Sequence, residues 1–269
     1  MKFSIVVVSL NPGDKLKKTL QSILMQDFTD YEVIVKDGGS KDGCLERAAE
    51  ELDDPRIHLY TEKDKSIYDG MNQAVSHAQG EYIYFLNCGD KFYDKKVLGK
   101  IAGEIAVVEK KEPGKRHIFY GDIFGEKNGV HITPAPKITG FTCYRNVPNH
   151  QSCFYSATLC KEKPFEIRFK IRGDYEHFLW CFYKAGADMV YIKTPIAYYE
   201  GGGYSESREN IARSKAEHRE ITAKYMSRKE LFRYRAVMLL TLAPLRTFMA
   251  ENPVLSGFYN RMTSLLYRR

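Results

Sequence analysis

The 269-residue chain contains no pair of cysteines in CxxC spacing: its six, Cys44, Cys88, Cys143, Cys153, Cys160 and Cys181, are scattered. That argues against a zinc ribbon or a disulfide framework and for reduced, cytosolic thiols. There is no GxxxxGK[ST] segment, which excludes a P-loop, and no GxGxxG, the dinucleotide fingerprint. No window supplies the roughly 18 or more apolar residues of a spanning helix. The best stretch, 236–245, is short, contains Pro244 and is bracketed by arginines. The N-terminal MKFSIVVVSLN lacks the longer apolar region and small-residue cleavage site of a signal peptide, so export by the general route is not expected. Internal repeats, low-complexity tracts and a clean linker are also missing.

What remains is a chain with 43% hydrophobic residues, enough for one large domain with a core, plus an appendage. The formal charge is +7, and its placement says more than its size. Of 41 Lys+Arg and 34 Asp+Glu, 13 and 6 fall from Ser205 onward, leaving 28 of each before it. The whole surplus therefore sits in the C-terminal quarter, interleaved with Leu231, Phe232, Val237, Leu239, Leu240, Leu245, Phe248 and Phe258. Two readings stay open there: an interfacial segment meeting anionic lipid at a membrane surface, or solvated helices packed on the domain. A nucleic-acid surface is not expected, since no RNA or DNA module accompanies the charge.

Ile5–Val8 is a continuous β-branched run closed by Asn11-Pro12-Gly13, which predicts a strand buried on both faces. Leu16, Leu20, Ile23 and Leu24 recur at helical spacing behind it. Strands are then expected at 31–36, 56–60 and 82–87, with helices at 44–52 and 66–78 between them. This alternation implies an α/β fold, a mostly parallel sheet with helices on both faces. Ligands of such sheets bind beyond the carboxyl ends of the strands. Later come a helix at 95–110, strands ending near Asp122 and at 130–136, an amphipathic helix at 174–185 and a loop at AYYEGGGYS.

Each of the first four strand ends carries a polar cluster: Ser9-Leu10-Asn11, Asp37–Gly43 (DGGSKDG), Glu62–Asp69 and Asn87–Asp90 (NCGD). The glycines of DGGSKDG allow close backbone approach to a phosphate or ribose, and a tight strand-to-helix turn would use the same residues. Asp90 is placed to hold a hard divalent ion bridging two phosphates, or to cap a turn. In EKDKSIYDGMN, Asp64 or Ser66 would serve as a helix N-cap, which leaves the other polar residues unexplained.

Taken in order, SLN, DGGSKDG, EKDKSIYDGMN and LNCGD resemble the family-2 glycosyltransferases of GT-A fold, of the bacterial polysaccharide-assembly kind. The resemblance is specific over the first 90 residues and weaker through NHQSCFY (149–155), IRGDYEHFLW (171–180) and EGGGYS (200–205). It implies a GT-A domain over 1–204, with a nucleotide-sugar half at 1–90 and an acceptor half at 91–204, and a basic amphipathic helical region at 205–269. It also implies that Ser9, Asn11, Asp37 and Asp64 hold the base and ribose, and that Tyr68, Asp69 and Asn72 line the donor pocket. Asn87 stands beside them, and His150 and Gln151 match a pair preceding the acceptor region.

Asp90 matches the last carboxylate of the family's metal motif, implying Mn²⁺ or Mg²⁺. The position two residues earlier, usually a carboxylate, is Cys88, a poor partner for Mg²⁺. Asp174, whose residue type and place before a helix also suit an N-cap, takes the place of the catalytic base, with Glu176 in reserve. The expected reaction is an inverting transfer from a nucleotide sugar, UDP being the usual nucleotide, to a glycan or lipid-diphosphate-linked acceptor. It would take place in the cytoplasm, with the chain peripheral to the inner membrane face. The loop at Glu200–Ser205 would close over the donor. A QxxRW motif, found in processive relatives, is absent, which implies one sugar per encounter. The rival readings are a nucleotidyltransferase and a non-catalytic nucleotide-sugar-binding protein.

Overall fold

The computed structural model describes residues 1–126, 129–201 and 208–241. The chain divides into two compact units, Met1–Ile221 and Thr222–Arg269. The expected loop residues 202–205 and the apolar positions from 242 onward lie outside the described residues.

The first unit is built on one sheet. Strands β1 (Phe3–Ser9), β2 (Tyr31–Asp37), β3 (Ile57–Thr61) and β4 (Tyr82–Phe85) are parallel and lie in the order β3-β2-β1-β4. Helices α1 (Lys15–Leu24), α2 (Cys44–Glu51) and α3 (Ile67–His77) make the crossovers. Residues 5–7 of β1 and 33–35 of β2 are apolar at every position because both faces are covered: Ile5, Val7, Val33 and Val35 on one face and Val6 and Ile34 on the other are buried. On one side they meet Leu16, Leu20 and Ile23 of α1. α3 packs on β1 and β2 with Met71, Ala74 and Val75 inward.

Beyond β4 the pattern changes. After β5 (Lys91–Phe92) and α4 (Val97–Lys111), β6 (His117–Gly125) pairs with the two-residue β7 (His131–Ile132). Helix α5 (Gly140–Arg145) leads to a 3₁₀ turn at His150–Ser152 and then β8 (Cys153–Ser156), which inserts antiparallel between β4 and β6. α6 (Ala157–Glu162), α7 (Gly173–Tyr183) and β9 (Asp188–Tyr199) follow; β9 pairs parallel with β6 and antiparallel with β5. α8 (Arg208–Tyr225) follows, and in the second unit α9 (Arg228–Leu240) begins on a capping box of Ser227 and Glu230.

Two expectations are corrected here. Residues 197–199 are strand rather than loop, because Ala197 and Tyr199 register with Ile123 and Gly125. Pro195 hid this continuation: it has no N–H for a ladder, and the strand passes it with register shifts around its partner Asp122. The strand expected at 130–136 shrinks to β7, whose two residues are exposed.

Candidate active site

The four strand-end clusters do not all behave alike. Asp37 is fully buried. Its Oδ1 accepts from the Ser9 hydroxyl (3.0 Å) and the Ser40 hydroxyl (2.5 Å), and its Oδ2 from the N–H groups of Gly39 (2.8 Å) and Ser40 (2.6 Å). Burial opposes ionisation, but these four donors outweigh it and hold the carboxyl below its ordinary range. Asn11, at φ 47°, donates its N–H to Ser40 Oγ and accepts from the Lys41 N–H through its side-chain oxygen. Ser9, Asn11 and Asp37 therefore shape the DGGS loop with these bonds.

Asp64 is set by a residue that the motif reading passed over. Lys36, at the end of the run YEVIVK, is fully buried, donating to the Glu62 carbonyl (2.5 Å) and to Asp64 Oδ2 (2.6 Å). A charge at the end of a buried strand was the available signal. Removing one partner of such a pair strands the other, so Lys36→Met is expected to lower unfolding free energy by about 3–5 kcal/mol in urea melts.

The polar crowd at the start of α3 separates by role. Ser66 is the N-cap and accepts from the Asp69 N–H, while Asp69 Oδ2 accepts from the Lys65 N–H (2.8 Å). The two polar ends of the Asn72 amide bond both backbone groups of Phe165, at 2.9 and 2.8 Å. Asp69 and Asn72 are thus used to cap α3 and to clip it to the segment before α7, and neither lines the cleft expected for them.

Tyr68 does face that cleft. An opening of about 160 Å³ lies beyond the end of β4, walled by Tyr68, Asn87, Asp90, His150, Asp174 and Glu200 among others. Asp174 is the second residue of α7, whose N-cap is Arg172, so it is not the cap. Its Oδ1 lies 2.9 Å from the Tyr68 hydroxyl and its Oδ2 3.1 Å from His150 Nδ1. His150 Nε2 lies 3.0 Å from the Asn87 amide nitrogen. A chain Asn87–His150–Asp174 thus ties the LNCGD motif to the head of α7. Burial works against the Asp174 charge, but the hydrogen bond and charge of His150, with the Tyr68 hydroxyl and the Tyr175 N–H, hold its carboxyl below the ordinary value. Glu176, the reserve base, is fully buried against Lys163 (2.6 Å) and lines no part of the cleft.

Asp90 is buried, and among the described residues no cationic side chain is bonded to it. Oδ1 accepts from the Glu200 N–H (2.9 Å) and Oδ2 from the Gln151 amide (3.1 Å). Burial raises its pKa, helped by the Glu200 charge and opposed by these two donors and His150. Each carboxylate oxygen keeps a lone pair for a hard cation. Burial pushes the Cys88 thiol up to about 12, and a soft sulfur suits a hard cation poorly in any case. Glu200, not singled out as a candidate ligand in the sequence, stands beside Asp90 through its N–H. Gly89 has φ 103°, and a Cβ there would collide with the Glu200 carboxylate. Glu200 also pairs with Lys15 (2.7 Å).

Among the described residues a second acidic group, Glu112, His117 and Asp188, brings its ligand atoms together near the starts of β6 and β9. Lys115 already bridges its two carboxylates at 3.3 and 3.0 Å, so the charge there is met without a metal.

Residues 4–112 match the model of the family described as Glycosyl transferase family 2. A PGL/p-HBAD biosynthesis glycosyltransferase from Mycobacterium bovis (strain BCG / Pasteur 1173P2) is 30% identical over 210 residues, covering 76% of this chain and 79% of that one. The chain belongs to glycosyl transferase family 2. The fold agrees: S. aureus TarS 1-349 in complex with UDP superposes with a TM-score of 0.65 at 18% identity, over 93% of this chain and 78% of that one. The mannosyltransferase PcManGT from Pyrobaculum calidifontis, in complex with GDP-Man and Mn²⁺, superposes with a TM-score of 0.57 at 14% identity, over 100% and 88%. The family-2 chain therefore has the α/β, GT-A-like architecture, and it is a glycosyltransferase. All four strand-end clusters fall inside the matched 4–112 span, whereas Asp174 and Glu200 lie beyond it.

Proposed function

We propose that this glycosyltransferase moves a sugar from a UDP-sugar donor to a hydroxyl of a glycan or lipid-linked acceptor in surface-glycan assembly, with inversion at the anomeric carbon. The observation that carries this reading is the meeting of two carboxylates of opposite character in one cleft: Asp174, held ionised at the head of α7, and Asp90, buried beyond β4. Asp174 removes the proton from the acceptor hydroxyl, and that oxygen attacks the anomeric carbon as the bond to the nucleotide diphosphate breaks. His150 and Tyr68 hold the base in place, and Asn87 orients His150. Asp90 and Glu200 are the residues that would hold Mn²⁺ or Mg²⁺, which when bound neutralises charge on the departing diphosphate. Family membership decides against the nucleotidyltransferase reading. The UDP choice is supported by the likeness to TarS, solved with UDP.

The experiment is a donor panel: UDP-GlcNAc, UDP-glucose and GDP-mannose are each incubated with Mn²⁺, and nucleoside diphosphate release and product anomer are read by NMR. Release from a UDP-sugar with inverted product supports the reading. Release only from the GDP donor moves it to another nucleotide, and a retained anomer overturns the single displacement.

Membrane attachment forms part of this proposal. Among the described residues no helix is long and apolar enough to cross a membrane. α9 nevertheless exposes Phe232, Leu239 and Leu240, each at least 67% accessible, beside Arg228, Lys229, Arg233 and Arg235. Such a mixture suits an anionic surface. The wild-type protein is expected to sediment with phosphatidylglycerol vesicles and not with neutral ones, and Phe232→Glu/Leu240→Glu to stay in the supernatant. Equal sedimentation of the double variant would remove α9 from the account.

A further inference from the structure

The Tyr68 hydroxyl has one proton and two acceptors. It lies 2.8 Å from the Ile171 carbonyl and 2.9 Å from Asp174 Oδ1, both within hydrogen-bond reach. A hydroxyl donates once at a time and keeps lone pairs to accept with, so the two contacts cannot both be donations. The side chain is otherwise fixed. It is 6% exposed, its ring stacks 5.7 Å from Phe165, and it lies so close to α7 that a Cβ on Gly173 would stand 2.7 Å from the ring. Glycine at 173 is therefore what allows Tyr68 to reach over the head of α7. The hydroxyl proton is the remaining freedom.

We propose that Tyr68 is a positioning residue whose hydroxyl follows the protonation of Asp174, donating to the carboxylate before proton transfer and to the Ile171 carbonyl after it. This rests on the reading of Asp174 as the base. Before transfer the ionised Asp174 is the stronger acceptor, and a bond to a charged partner is roughly twice as strong as a neutral one. In the transfer the acceptor O–H bond breaks and its proton goes to Asp174. The electron pair left on the acceptor oxygen forms the bond to the anomeric carbon, and the diphosphate leaves with the pair of the broken bond. Asp174 is then neutral, the Ile171 carbonyl becomes the better acceptor, and the hydroxyl turns to it. Its oxygen now offers a lone pair to the carboxylic acid. The half-buried base thus keeps a partner in both protonation states, which a fixed donor would not provide.

Tyrosine suits this because burial and the nearby Asp174 charge push its own ionisation far above neutrality, so it stays a neutral hydroxyl throughout. The other groups facing Asp174 are His150 from the turn before β8, Cys153 and Tyr155 from β8, and His177 from α7 itself. Burial and Lys163 hold His177 at about 3, and burial keeps the Cys153 thiol protonated. His150 is the other side chain within hydrogen-bond reach of the carboxylate. It approaches the opposite carboxylate oxygen.

The test reads the base directly. Protein labelled with ¹³C at aspartate carboxyl carbons is titrated by NMR, Asp174 being assigned by the signal lost in Asp174→Asn. Tyr68→Phe keeps the ring and removes the hydroxyl, so the ionised form loses its donor and the Asp174 midpoint is expected to rise by about one unit. Gly173→Ala pushes the ring away and is expected to shift it the same way, so a folding failure in one variant leaves the other. UDP affinity is expected to be unchanged in Tyr68→Phe while turnover falls about tenfold, the effect of losing an aligned partner of the base. An Asp174 midpoint equal to wild type in the folded variants overturns the inference alone. Full turnover in Asp174→Asn overturns the base assignment and the inference with it.

Discussion

Asp174→Asn is expected to lower turnover by about 10²–10⁴-fold, the contribution of a positioned general base, while leaving UDP affinity within about twofold. The amide has the shape of the carboxylate. Its oxygen still accepts from Tyr68, so the head of α7 and the cleft wall are retained. What disappears is the capacity to take a proton. Rates of UDP release under single turnover, set beside calorimetric UDP binding, separate the two effects. A combined fall in both would mean that Asp174 organises the cleft rather than acting on the acceptor. Its lowered pKa adds a pH signature: the base stays ionised down to and below the ordinary aspartate range near 3.9.

Asp90→Ala is expected to cost about 10²–10³-fold in turnover, as losing a group that stabilises the leaving charge does, and to abolish the Mn²⁺ dependence of UDP binding. Gln151 and the Glu200 N–H would lose their shared acceptor, so a urea melt must accompany the kinetics. The raised pKa fixes the sign of the pH effect. A carboxyl must be ionised to hold a divalent cation, so affinity for Mn²⁺ falls as pH drops through its midpoint, and this begins at a higher pH than for an ordinary aspartate. Acidification therefore disables Asp90 before it protonates Asp174. Mn²⁺ titrations at stepped pH check this order; loss of both functions at one midpoint would contradict it.

The parallel half of the fold was legible because each strand from β1 to β4 is a short apolar run ended by turn residues, and the helices between them carry their apolar residues at helical spacing. The second half was not, since β8 joins the sheet antiparallel from residue 153 and β9 continues past a proline; pairing between distant segments leaves no local pattern. In the site, carboxylates at strand ends were visible as a type. Their division of labour was not. Asp69 looks like a donor-pocket residue beside Tyr68, yet a helix turns successive side chains about 100° apart; Asn72, one turn on from Tyr68, shares its face but is spent on the Phe165 backbone. Lys36 and Glu200 carry their meaning in partners 28 and 110 residues away, Asp64 and Asp90. Glu200 matters most to the proposal, because it would bring an oxygen to the place where Cys88 offers a sulfur.

The most direct test of the central claim is a calorimetric titration of UDP into the wild-type protein, Asp90→Ala and Asp174→Asn, each with and without Mn²⁺. The account predicts Mn²⁺-dependent binding in the wild type and in Asp174→Asn, with the Mn²⁺ dependence lost in Asp90→Ala. No UDP binding to the wild-type protein under either condition would contradict it, and would leave the cleft without the donor on which the mechanism depends.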